Sequence, residues 1–164
     1  TLQTFSKAHA MAGFRVGYCS APKEIAEAIT RTQVYTTISA PTVSHMLALK
    51  ALRSGNAYTT KMVKSYKQRR DFIVKRLNEI GLITKMPHGA FYSFSNISNF
   101  SGEQTPKASY SPSQKFATML LKKAKVAVVP GIDFGKHGEG YIRCSYATEL
   151  HKIDKAMDRI ERAL

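Results

Sequence analysis

Between Gly55 and Gly81 the chain contains neither glycine nor proline, and within that stretch Met62, Tyr66, Ile73, Leu77 and Ile80 recur at helical spacing. The pattern predicts one long helix over residues 56–80, closed by Gly81, since glycine takes the left-handed backbone that a helix terminus favours. Residues 1–55 precede this helix.

The first part alternates short strands with helices. Residues up to Lys7 and from Phe14 to Cys19 read as strands of a mostly buried sheet. Pro22 opens a helix with Ile25, Ile29 and Thr32 at helical spacing, and Pro41 breaks it before a second helix. Val43, Met46, Leu47 and Ala51 form the expected inner stripe of that second helix, and Gly55 is its C-terminal stop.

Beyond the long helix, residues 82–86 and 90–97 read as strands around a Pro87-His88-Gly89 turn. Residues 99–111 are rich in Ser, Pro and Gly, lack periodicity and read as a surface loop. Ser111-Pro112-Ser113-Gln114 places a hydroxyl at the N-cap, proline at the first helical position and an amide at the third, a capping box for a helix reaching Lys125. Residues 126–129 and 141–146 are expected strands, and Ile153, Met157, Ile160 and Leu164 mark the inner face of a last helix. The fold class is α/β.

The 164 residues, 43% of them hydrophobic, suffice for one domain or for one domain and part of another. No run of about 18 apolar residues and no basic-then-apolar leader occurs, so neither a membrane span nor a signal peptide is expected. Cys19 and Cys144 stand far apart without metal-ligand or redox spacing, so no metal is expected, and a reducing cytoplasm is the natural setting. The net charge of +14 raises a nucleic-acid partner. Its cations, however, fall at helical spacing, as in Lys61, Lys64, Lys67, Arg69, Arg70, Lys75 and Arg76, which describes a solvated helix face. No finger or aromatic RNA-binding signature accompanies them. Neither a nucleic-acid nor a membrane partner is expected, and a basic binding module remains the rival from a different class.

Chemistry concentrates at the start of the chain. Ser6-Lys7 is followed by Gly13-Phe14-Arg15-Val16-Gly17-Tyr18. An amine condenses with a carbonyl most readily when burial or a nearby cation lowers its pKa, and the planar fork of Arg15 fits a pair of phosphate oxygens. Lys7 and Arg15 together suit the covalent capture of a phosphorylated aldehyde.

This segment, Ser6 to Tyr18, resembles the lysine signature of the class I/II aminotransferases, pyridoxal-phosphate enzymes of fold type I. Pro87-His88-Gly89-Ala90-Phe91-Tyr92 is similar to that family's Gly-Ala-Phe-Tyr segment, and Val128-Val129-Pro130-Gly131 with Phe134-Gly135 to its Val-x-Pro-Gly loop. Gly140-Tyr141-Ile142-Arg143-Cys144-Ser145-Tyr146-Ala147 resembles its carboxylate-binding strand. The four motifs stand in the family's order over nearly the whole chain.

The resemblance implies the C-terminal part of that fold: the end of the large cofactor domain in residues 1–55, then the linking helix and the mixed α/β small domain in residues 56–164. It implies that Lys7 forms the Schiff base with pyridoxal 5′-phosphate and moves the substrate proton. Arg15 and, with it, Thr4 would bind the cofactor phosphate, Arg143 the substrate α-carboxylate, and Phe91 would stand near the substrate side. Ser39, by position, would approach the cofactor phosphate of a neighbouring subunit. The function implied is amino transfer between α-amino acids and 2-oxo acids by a homodimer. Lyases and synthases of the same fold share these motifs and remain the alternative. The family's partners for the cofactor ring lie before the lysine, so this stretch alone is expected to be inactive.

Overall fold

The computed structural model describes residues 1–100 and 110–164, so most of the expected 99–111 loop lies outside the described residues. Two units divide within the long helix, Thr1–Val63 and Lys64–Leu164.

In the first unit, β1 (Leu2–Thr4) pairs antiparallel with β2 (Gly17–Cys19), Thr4 lying opposite Gly17. The strand expected to run to Lys7 stops at Thr4. There the extended backbone gives way to a one-turn helix, α1 (Phe5–Ala8), because the Thr4 hydroxyl accepts the Ser6 N–H at 3.1 Å as an N-cap. The strand expected over residues 14–19 is likewise shortened, since Arg15 takes the left-handed conformation at φ 50° after a 3₁₀ turn over Ala12–Phe14. Gly17 is required where it stands: a Cβ there would lie 2.6 Å from the Gln3 carbonyl oxygen.

Two helices follow, each after a proline: α2 (Lys23–Thr36) behind Pro22 and α3 (Thr42–Arg53) behind Pro41. The stripe expected on α3 is only half met. Leu47 and Ala51 pack against a small core of Phe5, Met11, Val16 and Ala48, whereas Val43 and Met46 are 63% and 67% exposed. The buried face of α3 runs instead through Ser44 and Ala48. Its side chains are small, which lets the helix approach the Phe5 cluster closely.

The long helix α4 (Ala57–Glu79) carries the second unit's inner face on Ile73, Val74 and Leu77, and Gly81 follows it with φ 83°. A three-stranded antiparallel sheet in the order β3-β5-β4 packs there, with β3 at Tyr92–Asn96, β4 at Val129–Pro130 and β5 at Tyr141–Ser145. The strand expected over residues 82–86 reduces to one bridge, Thr84 with Ser95. The Asn78 side chain replaces a ladder there, accepting the Thr84 N–H and donating to the Thr84 and Val74 carbonyls. The strand expected over residues 126–129 likewise shrinks to β4.

The capping box forms in full at the head of α5 (Pro112–Met119). The last turn widens into a π turn over Leu120–Ala124 and stops at Lys125, φ 56°. In α6 (Leu150–Glu161), Ile153, Met157 and Ile160 are buried, while Leu164 beyond it is exposed. Leu77, Leu82, Ile97, Leu120, Ile142 and Ile160 have no exposed surface and define the core of this unit. Arg76 clips α4 to α6 through Asp158 and Glu161, both at 3.0 Å. Between β4 and β5 the backbone folds back on itself so tightly that a Cβ on Gly131 would lie 1.9 Å from the Gly138 carbonyl oxygen. No helix among the described residues is long and apolar enough to cross a membrane.

Candidate functional site

Lys7 sits on α1, exposed, on the turn whose first residue is fixed by the core side chain Phe5. Thr4 holds that turn from both sides of its hydroxyl, accepting the Ser6 N–H and donating to Ser6 Oγ at 2.9 Å. The β1–β2 ladder is extended by a hydrogen bond from the Phe5 N–H to the Val16 carbonyl at 3.3 Å, which sets the Lys7 turn against the backbone that carries Arg15. Thr4 thus lies in the ladder, while Lys7 follows it on α1 and Arg15 precedes Val16 on the facing backbone.

Arg15 leaves that ladder at a left-handed residue, and its Nη1 donates to the Ala12 carbonyl at 2.9 Å. The contact pins the guanidinium over the 3₁₀ turn and leaves other faces of the fork outward. Of the two glycines flanking Arg15, Gly13 has open space around its missing Cβ, and Gly17 is the one demanded by packing. Arg15 and Ser39 both line an open cleft of about 590 Å³ together with Gln3, Gly17, Gln33 and His45. Lys7 and Thr4 do not line it.

Arg143 belongs to the second unit, on β5 between Phe94 of β3 and Val129 of β4. A charge on a half-buried strand is expected to be paired or wetted. Arg143 is partly buried, and among the described residues no carboxylate pairs with it. Its Cζ instead lies 4.3 Å from the centroid of the Tyr92 ring and 4.7 Å from that of Phe134. Phe94 braces Phe134 edge-on at 5.9 Å and stacks on Tyr141 at 5.1 Å. Phe91, expected near substrate, packs with Tyr66 at 5.8 Å and Tyr92 at 4.6 Å beside the core.

Sequence reasoning missed Tyr92, Phe134 and Glu139. The signal for the first was present: β3 buries Ser93 and Ser95 and turns Tyr92 and Phe94 outward, the reverse of an ordinary amphipathic strand. Glu139 gathers the Ser113 N–H at 2.8 Å, the Ser113 hydroxyl at 2.9 Å and the Gly140 N–H at 3.0 Å. Burial works against its charge, yet hydrogen bonds from Ser111, Ser113 and Gly140 outweigh it and hold the carboxyl below its ordinary range. The bonds tie the head of α5 to the loop that bears Phe134. On the inner face of β5, burial pushes the Cys144 thiol up to about 12, only weakly opposed by the nearby Ser93 hydroxyl.

A family model described as Aminotransferase class I and II matches residues 1–160. The chain belongs to this family. Its enzymes depend on pyridoxal 5′-phosphate. An aromatic-amino-acid aminotransferase of Thermococcus litoralis is 42% identical over 166 residues, covering 100% of this chain and 40% of that protein. An aspartate aminotransferase of Pyrococcus abyssi is 43% identical over 166 residues, again across 100% of this chain and 40% of the relative. Among solved structures, an aromatic aminotransferase from Pyrococcus horikoshii superposes with a TM-score of 0.88 at 43% identity, over 99% of this chain and 41% of that one. The aminotransferase fold is therefore present over this stretch, and the chain spans about 40% of the length of the curated relatives it matches.

Proposed function

We propose that this chain is part of a pyridoxal-phosphate-dependent amino-acid aminotransferase that moves an amino group between an α-amino acid and a 2-oxo acid. The observation that supports the reading most is the Lys7 turn held against the Arg15 backbone at the end of one antiparallel ladder. The donor set fits a phosphorylated aldehyde: an exposed amine, a guanidinium anchored by a hydrogen bond to the Ala12 carbonyl, and the hydroxyls of Thr4 and Ser6. When bound, the cofactor supplies an electron sink for the bonds at the substrate's α-carbon.

The protein's own tasks are binding and proton handling. Lys7 Nζ would hold the aldehyde carbon of the cofactor, and the same amine would carry the proton at the substrate's α-carbon. Arg15 would neutralise the phosphate, and the Thr4 hydroxyl, which here donates to Ser6 Oγ, would turn its proton to the same group. Arg143 receives the α-carboxylate through its fork of N–H groups. The relatives named for aspartate and for aromatic amino acids support an α-amino acid as donor. We assign the large-domain remnant to residues 1–55 and the linking helix with the small domain to residues 56–164. The working form is a cytoplasmic homodimer of the whole protein, with Ser39 directed to the partner's cofactor phosphate, and the 164 residues alone are inactive.

The test is an absorbance titration of this chain with pyridoxal phosphate, borohydride reduction and peptide mapping, with Lys7→Ala alongside. Reduction is expected to place the label on Lys7 and to lose that label in the variant. Label scattered over many lysines, unchanged by the substitution, would mean that Lys7 and Arg15 do not form a cofactor site in this stretch without the rest of the protein.

A further inference from the structure

We propose that Tyr92 and Phe134 are positioning residues that hold the Arg143 guanidinium by its faces and so keep its N–H donors available for a carboxylate. The proposal rests on the reading of Arg143 as the carboxylate receptor.

Arg69 of this unit lies more loosely over the Tyr66 ring at 5.4 Å, whereas Arg70 and Arg76 are fixed through their donors. Arg70 spends Nε and Nη2 on Asp71 and Nη1 on the Pro87 carbonyl. Arg76 spends its fork on Glu79, Asp158 and Glu161. Arg143 is held differently. Among the described residues its close partners are two aromatic rings, at 4.3 Å and 4.7 Å, and ring faces attract a cation without accepting the directed hydrogen bonds that an anion would use. A cation restrained by rings gives up side-chain entropy before a ligand arrives, and it keeps the bidentate geometry that makes an arginine selective for carboxylates.

The surrounding sequence is built for this at a cost to ordinary patterning. β3 turns Tyr92 and Phe94 out and takes Ser93 and Ser95 in. Ser95 is satisfied by the Thr84 hydroxyl at 2.8 Å, while Ser93 Oγ has no partner meeting normal hydrogen-bond geometry, only the weak sulfur of Cys144 across the ladder. Phe134 remains 48% exposed although it is braced by Phe94, so the ring adds little to the core. Its contacts with Arg143 and Phe94 are what its placement serves.

The experiment follows the Arg143 side-chain N–H resonances in arginine-labelled chain by NMR, first alone and then titrated with 2-oxoglutarate as the carboxylate probe. Wild type is expected to show ring-shifted Arg143 signals that move saturably, while those of Arg70 stay still. Phe134→Leu and Tyr92→Leu are each expected to reduce the ring shift and weaken the apparent affinity roughly three- to tenfold, with Tyr92→Phe unchanged. Because Phe134 is half exposed, Phe134→Leu should leave the backbone spectrum of the unit intact and serves as the deciding variant. Equal affinity in wild type and Phe134→Leu would overturn the positioning role and leave Arg143 as receptor. No response of Arg143 in wild type, with the ring shift present, would remove the receptor reading itself and the proposal with it.

Discussion

Arg143 and Cys144 are neighbours on one strand with opposite surroundings: the arginine lies among rings on the outer face, the thiol is sealed on the inner one. The folded Cys144 thiol stays neutral to about 12, whereas an unfolded one ionises near its ordinary value of 9.0. The unfolded chain therefore releases this proton first, and the contribution of the buried thiol to stability falls as pH rises from 9 towards 12. Denaturant midpoints of wild type are expected to drop faster over this alkaline window than those of Cys144→Ala. A thiol reagent should label the partly exposed Cys19 in the native chain and Cys144 only after unfolding. Candidate residues were legible where a motif pointed to them, as for Lys7 and Arg15. They were illegible where meaning came from across the sheet: nothing near Phe134 in sequence says that it meets Arg143.

At the scale of elements, local chemistry decided what periodicity left undetermined. The capping box at Ser111 is written in four consecutive residues and forms as read, so Ser111→Ala is expected to cost about 1 kcal/mol in thermal or denaturant unfolding. Glu139 extends that cap to the loop below it. Its carboxyl is held below the ordinary range, so the stability it lends is full above the unfolded carboxyl pKa and is lost as pH falls through the folded one. Glu139→Gln should accordingly flatten the acid limb of the stability profile, measured by denaturant midpoint between neutral pH and pH 3. The strand ends were misread for similar local reasons. Thr4 caps a turn instead of continuing β1, and Asn78 takes the backbone groups of Thr84 that a strand partner would have used. Gly17→Ala should lower stability by about 1–3 kcal/mol, because the new methyl meets a backbone carbonyl that cannot step aside.

Over the whole molecule, α/β character and the long helix were legible because their signals are long and repetitive, whereas the burial of α2 and α3 was not. Ile25, Val43 and Met46 look like core positions by spacing, yet each is more than half exposed. Helical periodicity reports that a face is apolar and says nothing of what covers it. Apolar surface of this extent favours association. Sedimentation velocity of the 164-residue chain is expected to show species that grow with concentration, and a single monomer boundary at all concentrations would count against this.

The tight fold-back at Gly131 and Gly138 sets a limit on how this chain could drift under mutation. At Gly131 a methyl would overlap the oxygen of residue 138, and at Gly138 one would sit 2.1 Å from the oxygen of residue 131. Each position vetoes change at the other, since both obstacles are main chain and neither recedes when its own side chain is altered. In a saturation library these two sites should therefore empty of every variant together, and no second-site change at either one should rescue the other.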